Sequence, residues 1–262
     1  MSVDFEKRKD GIAIITFNRP EKLNSLTKAD RERLADLLGE VRSDAGIKVA
    51  VITGAGDRAF TAGNDLAESL PEGDSMEPYR EIPEGLARKM IPYGKGIEIT
   101  KPIIAAINGH AIALGACLIL ATDIRYASPK ATFSLNEVRF GSLADGGALA
   151  RLARQIPYVH AMRLLLTGDR IDAAEMLRIG LVNEIVPQDQ LMTRALQTAE
   201  QIAGYDQFAV QITKQSVHHG LDVGQNQAIT EECLFREMLT VRQGGRGASS
   251  RNLTEFFQTV KA

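Results

Sequence analysis

Lys101 to Asp123 reads KPIIAAINGHAIALGACLILATD, and the reading of the whole chain turns on this stretch. Ile103 to Ile107 is an unbroken apolar run, Asn108-Gly109 supplies a tight turn, and small residues from Ala111 to Cys117 lead into a second apolar run ending at Ala121. A short apolar run bounded by turn residues reads as a buried strand. The segment after the turn reads as a helix whose first turn carries side chains too small to shield its backbone. The first N–H groups of such a helix have no intrahelical acceptor and lie at the positive end of the helix dipole. An acyl oxygen taking up negative charge fits there; tight helix packing accounts for the same small residues.

Upstream, Gly11 to Phe17 reads as a strand, Leu26 to Asp44 as an amphipathic helix with Thr27 as its cap, and Lys48 to Thr53 as a second buried strand. GAGDRAFTAGNDLAE runs from Gly54 to Glu68. It lacks the glycine spacing of a dinucleotide fingerprint and has no GK[ST], which excludes a Walker A loop; ordinary turn glycines are the plain alternative. Ser69 to Gly96 is rich in Pro and Gly and is read as loop cover over a cleft, with one short helix in EIPEGLARKMI.

Downstream, Ile124 to Ala127 and Ala131 to Leu135 read as short strands. The Asp145-Gly146-Gly147 turn precedes a helix closed by Pro157, and further helical patterns cover 158 to 168 and Asp172 to Gly180. Asp172 is placed as the cap of the second, with Glu175 at the reciprocal position. After a brief strand ending at Pro187 the pattern is helical throughout. This places a boundary near 190: a core with the site over 1–190, and a helical region for oligomerisation and cover over 191–262. Phe256 and Phe257 on a terminal helix call for packing on a neighbour.

At 262 residues the chain can bury about 70–75% of its extended surface, enough for one large domain or a domain with an appendage. Lys+Arg 31 against Asp+Glu 33 leaves a net charge of −2, so no strong field advertises a nucleic acid or an anionic membrane. Trp is absent, which leaves few platforms for stacking bases. No apolar run approaches the roughly 20 residues of a membrane span. The two cysteines form neither a disulfide framework nor a metal cluster with the histidines, which suits a cytoplasmic setting with no metal.

Two backbone N–H groups are candidates for an oxyanion hole, one in the Ala62-Gly63-Asn64 turn and one at Leu114-Gly115. Glu137 ends a strand near the expected cleft, where partial desolvation raises a carboxyl pKa toward that of a working base; a solvated surface glutamate is the bland reading. Asp145 is either an N-cap or a group in the site. His110 abuts the hole, and Cys117 faces either pocket or core.

ITFNRPEKLNSL (15–26), AFTAGNDLAE (59–68), the 101–128 stretch, FSLNEVRFGSLADGGALARLAR (133–154) and LLLTGDRIDAAEMLRIGLVNEIVP (164–187) occur together in one order and spacing. In this the chain resembles the crotonase superfamily, the enoyl-CoA hydratase/isomerase family, over about residues 5 to 240. The resemblance implies an α/β fold: a spiral of ββα units with a C-terminal helical region, assembling as a trimer or a dimer of trimers. It implies an acyl-CoA thioester substrate, with coenzyme A as part of that substrate and no tightly bound cofactor. It places the thioester oxygen between the N–H groups of Asn64 and Leu114, and the CoA nucleotide near Lys22, with Ala62, Asp65 and Leu66 bordering adenine and pantetheine.

The departures bear on the reaction. Family hydratases carry two glutamates, and Cys117 stands where the first would be, with Glu137 at the second. Asn136 replaces a usual proline, and Ala113-Leu114 a usual pair of glycines. One glutamate suffices for a 3-enoyl to 2-enoyl shift, so the expected activity is isomerisation with Glu137 as acid and base. The alternatives are hydration with Asp145 assisting, and a non-catalytic acyl-CoA-binding or scaffold role.

Overall fold

The computed structural model describes residues 2–69 and 99–244, in two compact units, 1–204 and 205–262. The first unit is organised by strands that alternate between two sheets. Strands β1 (Val3–Lys7), β2 (Ile12–Phe17), β3 (Val49–Gly54), β5 (Ile103–Ile107), β7 (Ile124–Ala127) and β10 (Glu184–Ile185) form one sheet in that order. Strands β4 (Ala59–Thr61), β6 (His110–Ile112), β8 (Thr132–Ser134) and β9 (Ile171–Asp172) form the other. Apart from the antiparallel pairs β1/β2 and β8/β9, the pairing is parallel. Each step from β3 to β4, β5 to β6 and β7 to β8 crosses from the first sheet to the second, so successive turns of the chain stack as a spiral.

Asparagines tie the crossing corners together. Asn108 accepts from the Gly54 N–H at 3.1 Å and donates to the carbonyls of Gly56 and Ala59, both at 2.9 Å. Asn24 donates to Ala55 and Ala59 and accepts from the Arg19 N–H. Corner carbonyls buried without such partners would each cost about 1–3 kcal/mol.

β5 explains why the central stretch reads as continuously apolar: Ile103, Ala105 and Ile107 enter one core cluster while Ile104 and Ala106 enter another on the opposite face. A strand buried on both faces has no polar side to show. The small residues after it divide differently from the expectation. His110–Ile112 is β6, held between β4 and β8, and helix α3 begins at Leu114 and ends at Leu120. Three residues are too few to show an alternating pattern.

Helix α1 (Lys28–Ser43) packs Leu34, Leu37, Leu38 and Val41 into the core. Thr27 caps it as expected, in a reciprocal box in which Asp30 also accepts from the Ser2 N–H and hydroxyl at 2.8 and 2.7 Å. Helices α2 (Leu66–Ser69), α4 (Ala148–Gln155), α5 (Tyr158–Thr167), α6 (Ala173–Arg178) and α7 (Leu191–Ala203) complete the unit. Asp172 caps α6 by accepting from the Glu175 N–H, but the Glu175 carboxylate turns to Arg178 instead of closing a reciprocal box.

The expected boundary near 190 moves, because α7 belongs to the sheet. Leu191, Ala195, Ala199 and Ala203, spaced by one helical turn, pack with Ile12, Val49, Val51 and Ile104. The second unit contains α8 (Gln207–Gly220), capped by Asp206, and α9 (Gln225–Arg242), which pack on one another with the Arg242 guanidinium 4.4 Å from the centre of the Phe208 ring. The expected cover at 70–96, its short helix, and Phe256 and Phe257 lie outside the described residues. No helix among the described residues is long and apolar enough to cross a membrane.

Burial pushes the Asp30 carboxyl up, but the bonds from Ser2 and Thr27 outweigh it and hold its pKa below the usual value. Such a group contributes stability above the unfolded pKa that is lost as pH falls through the folded one. Asp30→Asn therefore lowers the unfolding free energy by about 1–2 kcal/mol at pH 7. In urea titrations the difference from the parent closes in acid, once the parent carboxyl is protonated.

Candidate active site

Two turns from the two halves of the spiral meet where the small residues predicted an anion site. Leu26 bridges Asn64 in parallel fashion: the Leu26 N–H donates to Gly63 and its carbonyl accepts from Asp65. In such a bridge the N–H of Asn64 itself points away from Leu26. Leu114 is the first residue of α3, so its N–H has no intrahelical acceptor. Among the described residues neither N–H donates a hydrogen bond.

Gly63 brings the pair together. Its φ is +92°, and a Cβ there would lie 2.9 Å from the Ile112 carbonyl oxygen and 3.2 Å from the Leu114 nitrogen. A side chain at 63 would both strain the turn and cover the second donor. Ala113, just before the helix, has φ 51° and ψ −117°, the first central position of a type II′ turn, where glycine is at ease and alanine is not. Strain of this kind costs about 1–3 kcal/mol and collects at functional sites. Here it lies immediately before the Leu114 N–H.

Beside Cys117, on the same helix as Leu114, lie two acids, Glu137 and Asp145. Glu137 opens the 3-10 turn Glu137–Phe140 after β8, and that turn is clamped from outside by Arg139, which donates to the Thr167 carbonyl at 2.9 Å and pairs with Asp169 at 3.1 Å. The Glu137 Oε2 is buried with no hydrogen-bond partner among the described residues. Burial, with the charge of Asp145 added, raises the Glu137 pKa above the ordinary carboxylate range. The site reading of Glu137 thus has a physical basis that the solvated reading lacks.

Asp145 is not a cap. Helix α4 starts at Ala148 behind Gly147, whose φ is +85°, and no side chain caps it. Asp145 is instead exposed beside the cluster, its charge acting on both Glu137 and Cys117.

Cys117 faces core and cluster at once. It is 2% exposed, the Gly146 N–H points at its sulfur, and burial plus the nearby Glu137 push its thiol up to about 12. A Cβ on Gly146 would sit 2.8 Å from the Cys117 Cβ and 3.0 Å from its sulfur, so glycine at 146 is what lets the Asp145 turn approach α3. Arg151, one turn into α4, lies beside the same thiol.

His110 is not brought to this cluster. Its Nδ1 meets the Thr132 hydroxyl at 2.9 Å, and burial lowers its pKa, with the charges of Arg170 and Arg58 adding to that. Lys22, Ala62, Asp65 and Leu66 do gather on the edge beside Asn64. The Ala62 N–H donates to the Leu23 carbonyl, Lys22 and Leu66 are exposed, and the charge of Lys22 acts on Asp65. The Asp65 carboxylate is held by Arg19 at 2.6 Å and by the Ala67 N–H. Arg31 donates to the Asn64 side-chain oxygen at 3.2 Å. Sequence reasoning missed Arg19, Arg31, Gly146 and Arg151. Arg19 lies within the quoted RPEKLN segment, the one signal that could have found it.

An alternating two-sheet spiral with a partly buried carboxyl beside its short central helix is the arrangement expected of the crotonase superfamily, whose members transform acyl-CoA thioesters. The chain belongs to its enoyl-CoA hydratase/isomerase family, matching that family's sequence profile over residues 7–250. It is 41% identical to an (E)-benzylidenesuccinyl-CoA hydratase of Thauera aromatica over 212 residues, covering 81% of this chain and 80% of that one. It is 33% identical to a short-chain-enoyl-CoA hydratase of Clostridium acetobutylicum over 230 residues, 86% of this chain and 84% of that one. The crystal structure of an enoyl-CoA hydratase from Bacillus anthracis superposes with a TM-score of 0.81 at 30% identity, covering 100% of this chain and 96% of that one.

Two outcomes test this geometry. Ala113→Gly raises the unfolding free energy by about 1 kcal/mol, as positive-φ strain is relieved, read from the denaturant midpoint. At pH 8 a thiol pushed up to about 12 is ionised to only about one part in 10⁴, and thiolate is the reactive form. A thiol reagent therefore modifies exposed Cys233 quickly in the native protein and Cys117 far more slowly, through rare local openings, as a time course of mass spectrometry on the labelled peptides shows.

Proposed function

We propose that the chain adds water reversibly across the 2,3 double bond of a 2-enoyl-CoA thioester. The observation that carries this reading is the position of Asp145: an exposed carboxylate that caps no helix and acts on both Glu137 and Cys117. The case for isomerisation rests on Cys117 occupying the place of a second acid. Asp145 supplies a second carboxyl from the neighbouring turn, and the relatives from Thauera and Clostridium are hydratases by name.

In this reading the thioester oxygen sits between the N–H groups of Asn64 and Leu114, each donor contributing about 3 kcal/mol to the enolate-like transition state. Asp145 takes a proton from water as the water oxygen bonds to C3. Glu137, held toward its protonated form by burial, delivers a proton to C2 as the enolate collapses. One water is consumed, and the two carboxyls recover their starting protonation by exchange with solvent. The nucleotide end of CoA lies toward Lys22, with Arg19 and Arg31 adding positive charge on that edge, and the working form is a trimer or a dimer of trimers.

A second reading, the 3-enoyl to 2-enoyl shift, is favoured by Cys117 itself. Its neutral thiol leaves Glu137 as the carboxyl beside it that is partly buried, and one carboxyl suffices to carry a proton from C2 to C4.

Purified protein is offered linear and aryl-substituted 2-enoyl-CoA thioesters and a 3-enoyl-CoA, following loss or gain of the conjugated thioester absorbance together with 3-hydroxyacyl-CoA. Hydration is expected, with Glu137→Gln slowing it about 10²- to 10⁴-fold and Asp145→Asn at least about tenfold. Full hydration by Asp145→Asn would remove Asp145 from the mechanism. A shift of the 3-enoyl substrate with no 3-hydroxyacyl product would establish the second reading instead.

A further inference from the structure

The oxyanion helix α3 and helix α4 run alongside one another, and each contributes its near end to the site. From α3 come the Leu114 N–H and Cys117; just ahead of α4 come Asp145 and Gly146. At this end the contact is a bare approach, Gly146 against Cys117 and Leu114. At the far end the two helices are bonded through a buried arginine. Arg125, on β7 and 7% exposed, donates to the Thr122 carbonyl at 2.8 Å, the Leu181 carbonyl at 3.2 Å and the Gln155 side-chain oxygen at 2.8 Å. Gln155, the last residue of α4, donates in turn to the Leu120 carbonyl at 3.0 Å, the last residue of α3.

From this we infer that Arg125 and Gln155 are positioning residues, a remote clamp that sets the separation of the Leu114 amide from the Asp145-Gly146 turn. The last carbonyls of a helix need donors from outside it, and a cation at a helix C-terminus is favourably placed. Arg125 and Gln155 satisfy both with groups anchored on the sheet and on α4, so α3 cannot tilt or slide against α4 without breaking charge-assisted bonds. The short lever matters because α3 has only 7 residues, about 10 Å of rise. A shift at Leu120 is carried to Leu114 with little loss. Misplacement of about 1 Å at a reacting centre can cost on the order of a hundredfold in rate.

Gln155 makes the clamp testable without wrecking the core, because its residue is solvent-exposed and its truncation opens no cavity. A surface glutamine with no such role would be worth little when removed. The wild type, Gln155→Ala, Arg125→Lys and an Arg154→Ala control on the same helix are compared in three measurements: the melting temperature, kcat and KM on the substrate turned over by the wild type, and the rate at which a thiol reagent reaches Cys117 in the native protein.

The expected result for Gln155→Ala is a kcat lowered about ten- to a hundredfold with KM nearly unchanged, and Cys117 labelled at least about tenfold faster. Arg125→Lys should fall between wild type and Gln155→Ala, and Arg154→Ala should match the wild type. Wild-type kcat and an unchanged Cys117 labelling rate in Gln155→Ala would overturn the clamp, whatever the melting temperature does. The roles given to Asp145 and the hole rest on the hydration reading, but the labelling rate does not. A wild type that turns over no enoyl-CoA sinks that reading, and the clamp is then decided by the labelling rate alone.

Discussion

The site depends on one close approach: Gly63 lies against the backbone of Ile112 to Leu114 with no side chain between. The proposed oxyanion hole needs two N–H groups from segments some fifty residues apart to approach one spot, and contact between bare main chains permits that approach. Much of the surrounding architecture serves that contact. The alternation of strands between two sheets brings the corner after β4 next to the corner after β6, and Asn24 and Asn108 hold the preceding crossing from β3 to β4 by bonding its backbone at Gly54 and Ala59. The backbone at Ala113 accepts a positive φ immediately before the second donor. Paired amides that are already aimed need no reorganisation when charge develops, which is the source of their value in catalysis.

The two acids beside Cys117 differ in setting, and the difference is electrostatic. Glu137 is desolvated, with one oxygen lacking a donor, whereas Asp145 stands in solvent on a turn. Two carboxyl groups in unlike surroundings divide proton donation and acceptance between them. Cys117 adds no third charge, because burial keeps its thiol protonated, yet its sulfur fills the gap between α3 and the Asp145 turn.

The fold was largely legible in the residues. β2, β3 and β5 announce themselves as apolar runs, α1 as an amphipathic pattern with Thr27 at its start, and the family motifs supply the order in which these stack. Elements of two or three residues, such as β6 and β9, carry too little pattern to be seen, and α7 looked like part of a separate helical region because its Ala-rich face gives no hint that it lies on a sheet. Of the candidate site, Asn64, Leu114 and Glu137 are named from motif positions and remain the residues of the proposed chemistry. The status of Asp145 could not, since a cap and a reactive carboxylate look alike until the first helical residue is fixed at Ala148. His110 was drawn in by sequence adjacency, but strand alternation sends its ring to Thr132 on the second sheet.

Sulfur at position 117 also bears on how the protein meets oxidants. Peroxide attacks the thiolate and begins the ladder from sulfenic to sulfonic acid, and a sulfur that is enclosed and stays protonated offers neither access nor the reactive form. The Cys117 sulfur beside Glu137 is thus withheld from redox chemistry, and hydrogen peroxide in the surroundings leaves it unchanged.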